Sequence, residues 1–384
     1  MKTLTLTIGL TLATATSSFA VELEQLKRDV VAQYAEQVHA NYEDAWKAAG
    51  LLRDKINRFL TAPNDVSLTA AKHAWLAARI PYLQTEVCRF YDGPIEQVET
   101  MINAWPMDEY FIDYVEGVPS AGIIQSVQQF PKITEEVVIG MNEAEGEKCI
   151  TLGFHAIEFL LWGQDFSAGG PGNRPVTDYT GKDPKSKVFA ERRKEYLRIC
   201  ARLLFKHLKQ VSDAWAPNQA GNYREKFVAL PTEKSLALIL RGAGSLSGPE
   251  LSGERLTVAY ETHLQEDEHS CFSDNTHNDF RYDAKGLQNI FHGRYKRTNG
   301  EIVKGPGIWD LLFEVDTELG VKVTNQVIEA VNAAQSIPDP FDQAILAADG
   351  TPERKALKRA ITAFHELSRG IAEAGHEMGL KLRF

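Results

Sequence analysis

Cysteine is scarce in this chain. Cys88, Cys149, Cys200 and Cys271 are the only four in 384 residues, and they lie far apart. Without a CxxC pair, zinc-finger and c-type haem readings have no support. In an oxidising compartment four cysteines permit one or two disulfides, and the pairing stays open. Long apolar runs are missing beyond the N-terminus, so no transmembrane segment is expected. Excess positive charge is missing as well. The formal net charge is −10, which argues against a nucleic-acid partner, since phosphates call for lysine and arginine. Strand-like alternation is nearly absent. So are the HExxH helix of zinc proteases, GxSxG, the P-loop and the Rossmann glycines. His365-Glu366 and His376-Glu377 each lack the second histidine that HExxH requires.

What the chain does have begins with "MKTLTLTIGLTLATATSSFA". Lys2, a short apolar run and the small residues Ser18 and Ala20 read as a secretory signal peptide cleaved after Ala20. No cysteine follows the cleavage point, which argues against a lipid anchor. The expected location is therefore outside the cytoplasm: the periplasm of a Gram-negative cell, with peripheral association at the outer membrane as an extension of that reading. The remaining length suggests about two domains.

Helical periodicity dominates. Leu23, Leu26, Val30, Tyr34 and Val38 form one apolar stripe. Ile308, Leu311, Leu312, Val315, Leu319, Val323 and Val327 form a second. Leu357, Ile361, Phe364, Leu367, Ile371 and Met378 form a third, with Thr351 as N-cap and Pro352 in the first turn. The expected fold is all-α, long amphipathic helices packed as bundles, with the chain divided into residues 21–180 and 181–384. Two irregular stretches interrupt the pattern. "GQDFSAGGPGNRPVTDYTGKDPKSK" (163–187) reads as a linker and functional loop. "EDEHSCFSDNTHNDFRYDAKG" (266–286) is crowded with carboxylates and imidazoles.

The segment "CITLGFHAIEFLLWGQD" (149–165) poses the chemical question. Read as a helix, it puts His155 and Glu158 on one face, flanked by Thr151 and Trp162. Phe154, Ile157 and Leu161, with Leu152, Phe159 and Leu160, leave it no solvated side, so burial is expected. A buried carboxylate needs a metal, an arginine or the histidine itself as partner. Gly153 inside such a helix costs about 0.5–1 kcal/mol relative to alanine, which implies a close approach by another helix or a ligand. The His-x-x-Glu spacing is weak evidence on its own. About one such pair is expected by chance, and His263-Glu266 is another. Metal ligation and a structural ion pair stand about even on spacing alone.

Other charged residues stand in apolar or turn-rich surroundings. Glu86 and Arg89 share a helix read over 82–96, where Glu86 could instead pair with Arg89 or Arg79. Asp108 reads as a cap after Trp105-Pro106. Arg174 and Asp178 fall in the first loop. Glu268, His269, Asp274 and His277 fall in the second, where Asp274 and Asn275 read equally as turn residues.

These blocks together carry a resemblance. "GFHAIEFLLWGQD" resembles the Gly-x-His-x-x-Glu signature of the imelysin-like family, and "QTEVCRFYDGPIE", "AWPMDEYFIDY", "GNRPVTDY" and "EDEHSCFSDNTHND" resemble it in the same order. The last block is most similar to the iron-regulated protein A branch. The resemblance implies an all-helical fold of two halves, with a site at their interface centred on Gly153, His155 and Glu158. It also implies a link to iron uptake and an envelope partner, with peptidase activity ascribed to some members. The expected function is a periplasmic binding protein for iron or an iron chelate. His155, Glu158 and Glu86 would be the metal ligands. Gly153, Arg89, Arg174, Asp178, His269 and Asp274 would line the site, the arginines holding an anion or orienting carboxylates. Iron suits a carboxylate-rich set with one histidine. The alternatives are a zinc metallopeptidase and a helical scaffold with a structural His155–Glu158 pair.

Overall fold

A computed structural model describes residues 6–167 and 169–384, with residues 6–20 described by backbone alone. The start of the expected leader lies outside the described residues. From Leu6 the backbone is helical, and helix α1 runs unbroken from Leu6 to Thr61. Its buried positions Val30, Tyr34, Val38, Ala45, Leu52, Ile56 and Phe59 recur at helical spacing. Helix α2 (Asp65–Leu83) begins at a capping box in which Asn64 and Ser67 exchange side-chain and backbone bonds. Helix α3 (Phe154–Trp162) is buried at every residue. Helix α4 (Pro184–Ala214) opens on the Asp183 side chain, with Pro184 in its first turn.

Helices α5 (Thr232–Ser245), α6 (Thr276–Phe291), α7 (Thr317–Gln335) and α8 (Pro352–Glu377) make up most of the second half. After α5 the helix continues in wide π-type turns from Leu246 to Thr257. Pro249 lies within them and lacks the N–H that an ordinary ladder needs. Helices α1 to α4 pack on one another, as do α5, the wide turns, α6, α7 and α8. The two groups meet where α6 lies on α2 and α5 lies on α1, and one hydrophobic core runs from Val30 to Leu380. Because α4 packs on α1, the expected division at residue 180 falls just before a helix that belongs with the first group. Among the described residues, no helix is long and apolar enough to cross a membrane.

The all-α expectation holds, and several local ones change. The stripe 308–327 is two helices, because Asp316 turns its side chain onto the N–H groups of Glu318 and Leu319 and starts α7 anew. The stretch 82–96 is not a helix. After α2 ends at Leu83 it makes one 3₁₀ turn, Glu86–Cys88, and then takes positive φ at Phe90 and Asp92. The second irregular stretch is helical from Thr276 onward, and the first ends at Pro184. A small hairpin, Arg294–Lys296 against Ile302–Lys304, has no counterpart in the expected pattern. The four cysteines are all free thiols.

Gly153 lies outside α3, as its N-cap, with φ +94°. A Cβ there would sit 2.6 Å from the carbonyl oxygen of Ile102. The close approach inferred from the glycine is thus real, but the neighbour is backbone. Phe154 N–H donates to that same Ile102 oxygen at 2.8 Å. Thr151 likewise precedes the helix and donates its hydroxyl to the Val138 carbonyl.

Candidate functional site

One turn of α3 brings His155 and Glu158 together. His155 Nδ1 lies 3.0 Å from Glu158 Oε2. Glu158 Oε1 accepts from the Ser273 N–H at 2.9 Å and the Ser273 hydroxyl at 2.7 Å. Both carboxyl oxygens are therefore engaged, one by each half of the molecule. His155 Nε2 is buried and has no partner. Burial lowers the His155 pKa well below its usual value, helped by His269 and Arg79. Burial raises Glu158 to about 8, against the pull of Ser273 and Arg79. At neutral pH both members of the pair are uncharged.

A second imidazole completes the arrangement. The His269 ring lies 4.9 Å from the His155 ring, centroid to centroid, and Trp105 meets it edge-on at 5.6 Å. His269 Nδ1 is 3.0 Å from Asp279 Oδ2, in ion-pair range but without hydrogen-bond alignment. Asp279 is itself held by Arg79 at 3.2 Å and by Asn275 and Ser270. Burial pushes the His269 pKa well down, with Arg255 and Arg79 adding to it. Each imidazole thus has a carboxyl group near Nδ1, and for His155 the hydrogen bond to Glu158 fixes the ring and leaves Nε2 for another partner.

His269 faces a cavity of about 360 Å³, whose walls include Arg89, Glu99, Asn103, Trp105 and Arg255. Glu86 stands behind the arginines, fully buried. Its Oε2 accepts from Arg89 at 2.9 Å and from Arg255 at 2.7 Å, and its Oε1 has no partner. Burial would raise Glu86, but Arg89 and Arg255 outweigh it and hold the carboxylate ionised. Arg255 also reaches Asp283 at 3.1 Å and Glu250 at 2.7 Å. The wide turns after α5 are what bring Arg255 to this point.

The expected site residues therefore divide. His155, Glu158, His269, Glu86 and Arg89 gather around one interface, with Gly153 shaping the entry to α3. Arg174 and Asp178 belong to a separate buried network. Arg174 donates to Asp113 and Asp178, each at 3.0 Å, and Arg193 clamps Asp113 at 2.6 and 2.9 Å. Among the described residues neither Arg174 nor Asp178 bonds to His155 or Glu158. Asp274 gathers with Asp165 and Asp342, within 4.8 Å of both. Asp279, Arg255 and Ser273 escaped the reading of the sequence. All three lie far from His155 along the chain; Ser273 and Asp279 fall inside the 266–279 block without standing out in it, and only the fold brings them in.

The family model described as Imelysin matches residues 38–371 of the chain. Iron-regulated protein A of Synechococcus elongatus is 24% identical over 334 residues, covering 84% of this chain and 79% of that protein. Two solved structures share the fold. One, from Parabacteroides distasonis, is described as an iron-regulated protein A precursor. It aligns with a TM-score of 0.70 at 17% identity, over 92% of this chain and 95% of its own. The other, an imelysin-like protein from Psychrobacter arcticum, aligns with a TM-score of 0.62 at 14% identity, over 94% and 98%.

Proposed function

The chain belongs to the imelysin family, and from that premise we propose that it is an exported, periplasmic iron-binding protein serving iron acquisition. Its site is built on the imidazoles of His155 and His269. The observation that carries the proposal is the His155 ring: Nδ1 is held by Glu158 while the buried Nε2 has no partner. A buried polar atom without a partner is costly, and a metal ion is one group that would satisfy it. Glu158 then acts as the residue that orients His155, since its two oxygens are already spent. Asp279 stands 3.0 Å from the His269 Nδ1 and would take the same part once the contact aligns on metal binding. Glu86 Oε1 is the remaining anionic donor, close enough to His269 to perturb its protonation. Two imidazoles and a carboxylate suit iron, and zinc is the competing ion.

Proton balance follows from the pair. In the neutral pair the carboxyl proton lies toward Nδ1, so Nε2 carries the ring hydrogen. A cation at Nε2 displaces that hydrogen, and the carboxyl proton moves to Nδ1. One proton is released per ion. The iron relation of the Synechococcus relative supports the choice of metal. The peptidase alternative needs a base facing the cavity, and Glu158 lies buried behind His155 with both oxygens engaged.

Titration of the purified protein with ferrous and ferric iron, with zinc as competitor, tests the reading. His155→Ala and His269→Ala are expected to weaken iron binding at least tenfold while leaving the helical spectrum unchanged. Wild-type iron affinity in both variants would sink it.

A further inference from the structure

On the far side of Ser273 from Glu158, a second group of carboxylates converges from three separate stretches of chain. Asp165 follows α3. Glu268 and Asp274 lie in the segment that crosses α3, and Asp342 lies in the short helix Phe341–Leu346. One oxygen from each of Asp165, Asp274 and Asp342 lies within 4.8 Å of the other two. The three side chains are buried, at 9%, 7% and 1% exposure. Outer oxygens have protein partners: Ser167 N–H donates to Asp165 Oδ1 at 2.9 Å, and Gln265 donates to Asp342 Oδ2 at 2.8 Å. Asp165 Oδ2 and Asp274 Oδ1 find no donor among other side chains or the backbone, only each other's carboxyl.

Glu268 is an independent witness. It is 1% exposed, and neither of its carboxyl oxygens has a hydrogen-bond partner. Burial raises its pKa, with the carboxyls of Asp342 and Asp274 adding to it, so it stands beside the same cluster. Among the described residues, no lysine, arginine or histidine ion-pairs with any of the four. Elsewhere in this protein buried carboxylates are answered by guanidinium groups, as Glu86 and Asp113 are. Here the counter-charge is missing.

We propose that Asp165, Asp274 and Asp342, with the unpartnered Glu268 beside them, form a binding site for a hard divalent cation of calcium size, separate from the imidazole site. The donors are all oxygen, which selects hard ions over zinc. Calcium takes carboxylate oxygens at about 2.3–2.6 Å in flexible geometry and accepts several of them, whereas magnesium demands near-ideal octahedral geometry at about 2.0–2.1 Å and keeps most of its waters. Ligands from chain-distant segments make the ion a staple. It ties the end of α3, the crossing segment and the 341–346 helix together. Asp274 neighbours Ser273, so the staple also fixes the donor that holds Glu158.

The test is thermal melting and calorimetric titration of the full chain, freed of metal by a chelator, with calcium chloride or magnesium chloride. Calcium is expected to raise Tm by several degrees, and magnesium to do markedly less at equal concentration. The D274N/D342N double variant should melt higher than wild type without metal, because repulsion is relieved, and should lose the calcium response. His155→Ala should keep that response, which separates this site from the iron site whatever becomes of the latter. No heat and no Tm rise at millimolar calcium would overturn the proposal, as would a full response in the double variant. An equal magnesium effect would overturn the assignment of ion size.

Discussion

Glu158 concentrates the chemistry of the molecule in one side chain. Its carboxyl is raised to about 8 by burial, so near neutrality it is the proton on Glu158 that sets the tautomer of His155. Glu158→Gln preserves shape but presents an amide that donates permanently to Nδ1. That locks the ring hydrogen on Nε2 and removes the lone pair a metal needs. The expected result is loss of iron affinity with Tm nearly unchanged. In the wild type, affinity should climb as pH rises through 8. Isothermal titration at pH 6 to 9 checks both. A Tm drop with affinity intact would mean that the pair is structural only. The pair itself was legible in the sequence, because two titratable residues three apart in an apolar run are hard to explain otherwise. The roles were not. The proposed orienting role of Glu158 rests on Ser273, and nothing local in the sequence pairs the two. Asp279 and Arg79 are likewise paired only by the fold.

At the scale of elements, long helices were legible wherever the apolar spacing was regular, as in α1 and α8. Their limits were not. One polar residue, Asp316, splits a continuous apolar stripe by capping a new helix. The stretch around Glu86 looks helical by composition yet leaves the helix through Pro81 and a 3₁₀ turn. Gly153 shows how such a limit is enforced. At φ +94°, with Ile102 backbone 2.6 Å from any Cβ, alanine strains the entry to α3. Gly153→Ala is expected to cost about 1–3 kcal/mol, with the Phe154–Ile102 hydrogen bond weakened as well. Gly140→Ala is the control. It lies in the helix Glu135–Met141 with open space around it, and should be neutral or slightly stabilising. Chemical denaturation of the two variants side by side gives the comparison.

Across the whole molecule, buried carboxyl groups fall into two classes with opposite pH behaviour. Glu86 and Asp113 are held low by arginines despite burial. Their stabilisation is present above the ordinary carboxylate range and is lost as pH falls through it. Glu158 and Asp274 are raised to about 8, chiefly by burial. Their stabilisation is full below the ordinary carboxylate range and is lost as pH rises through 8. Without added metal, Tm should therefore peak in the mildly acidic range and fall toward pH 9. Asp274→Asn should flatten the alkaline limb. Melts at half-unit steps decide it, and a Tm that keeps rising to pH 9 would contradict it. The all-helical class and a division into two groups of helices were readable from periodicity and length. The grouping of α4 with the first helices was not, since it depends on which faces meet. The crossing of α3 by residues 268–275 carries one more consequence, this time about timing. Neither pocket exists until the last third of the chain has closed over the first, because Ser273 and Asp279 must reach Glu158 and Arg79. A nascent or unfolded chain therefore presents only loose side chains. Whatever these pockets choose is drawn from the surroundings in which folding ends, not from those in which the chain is made.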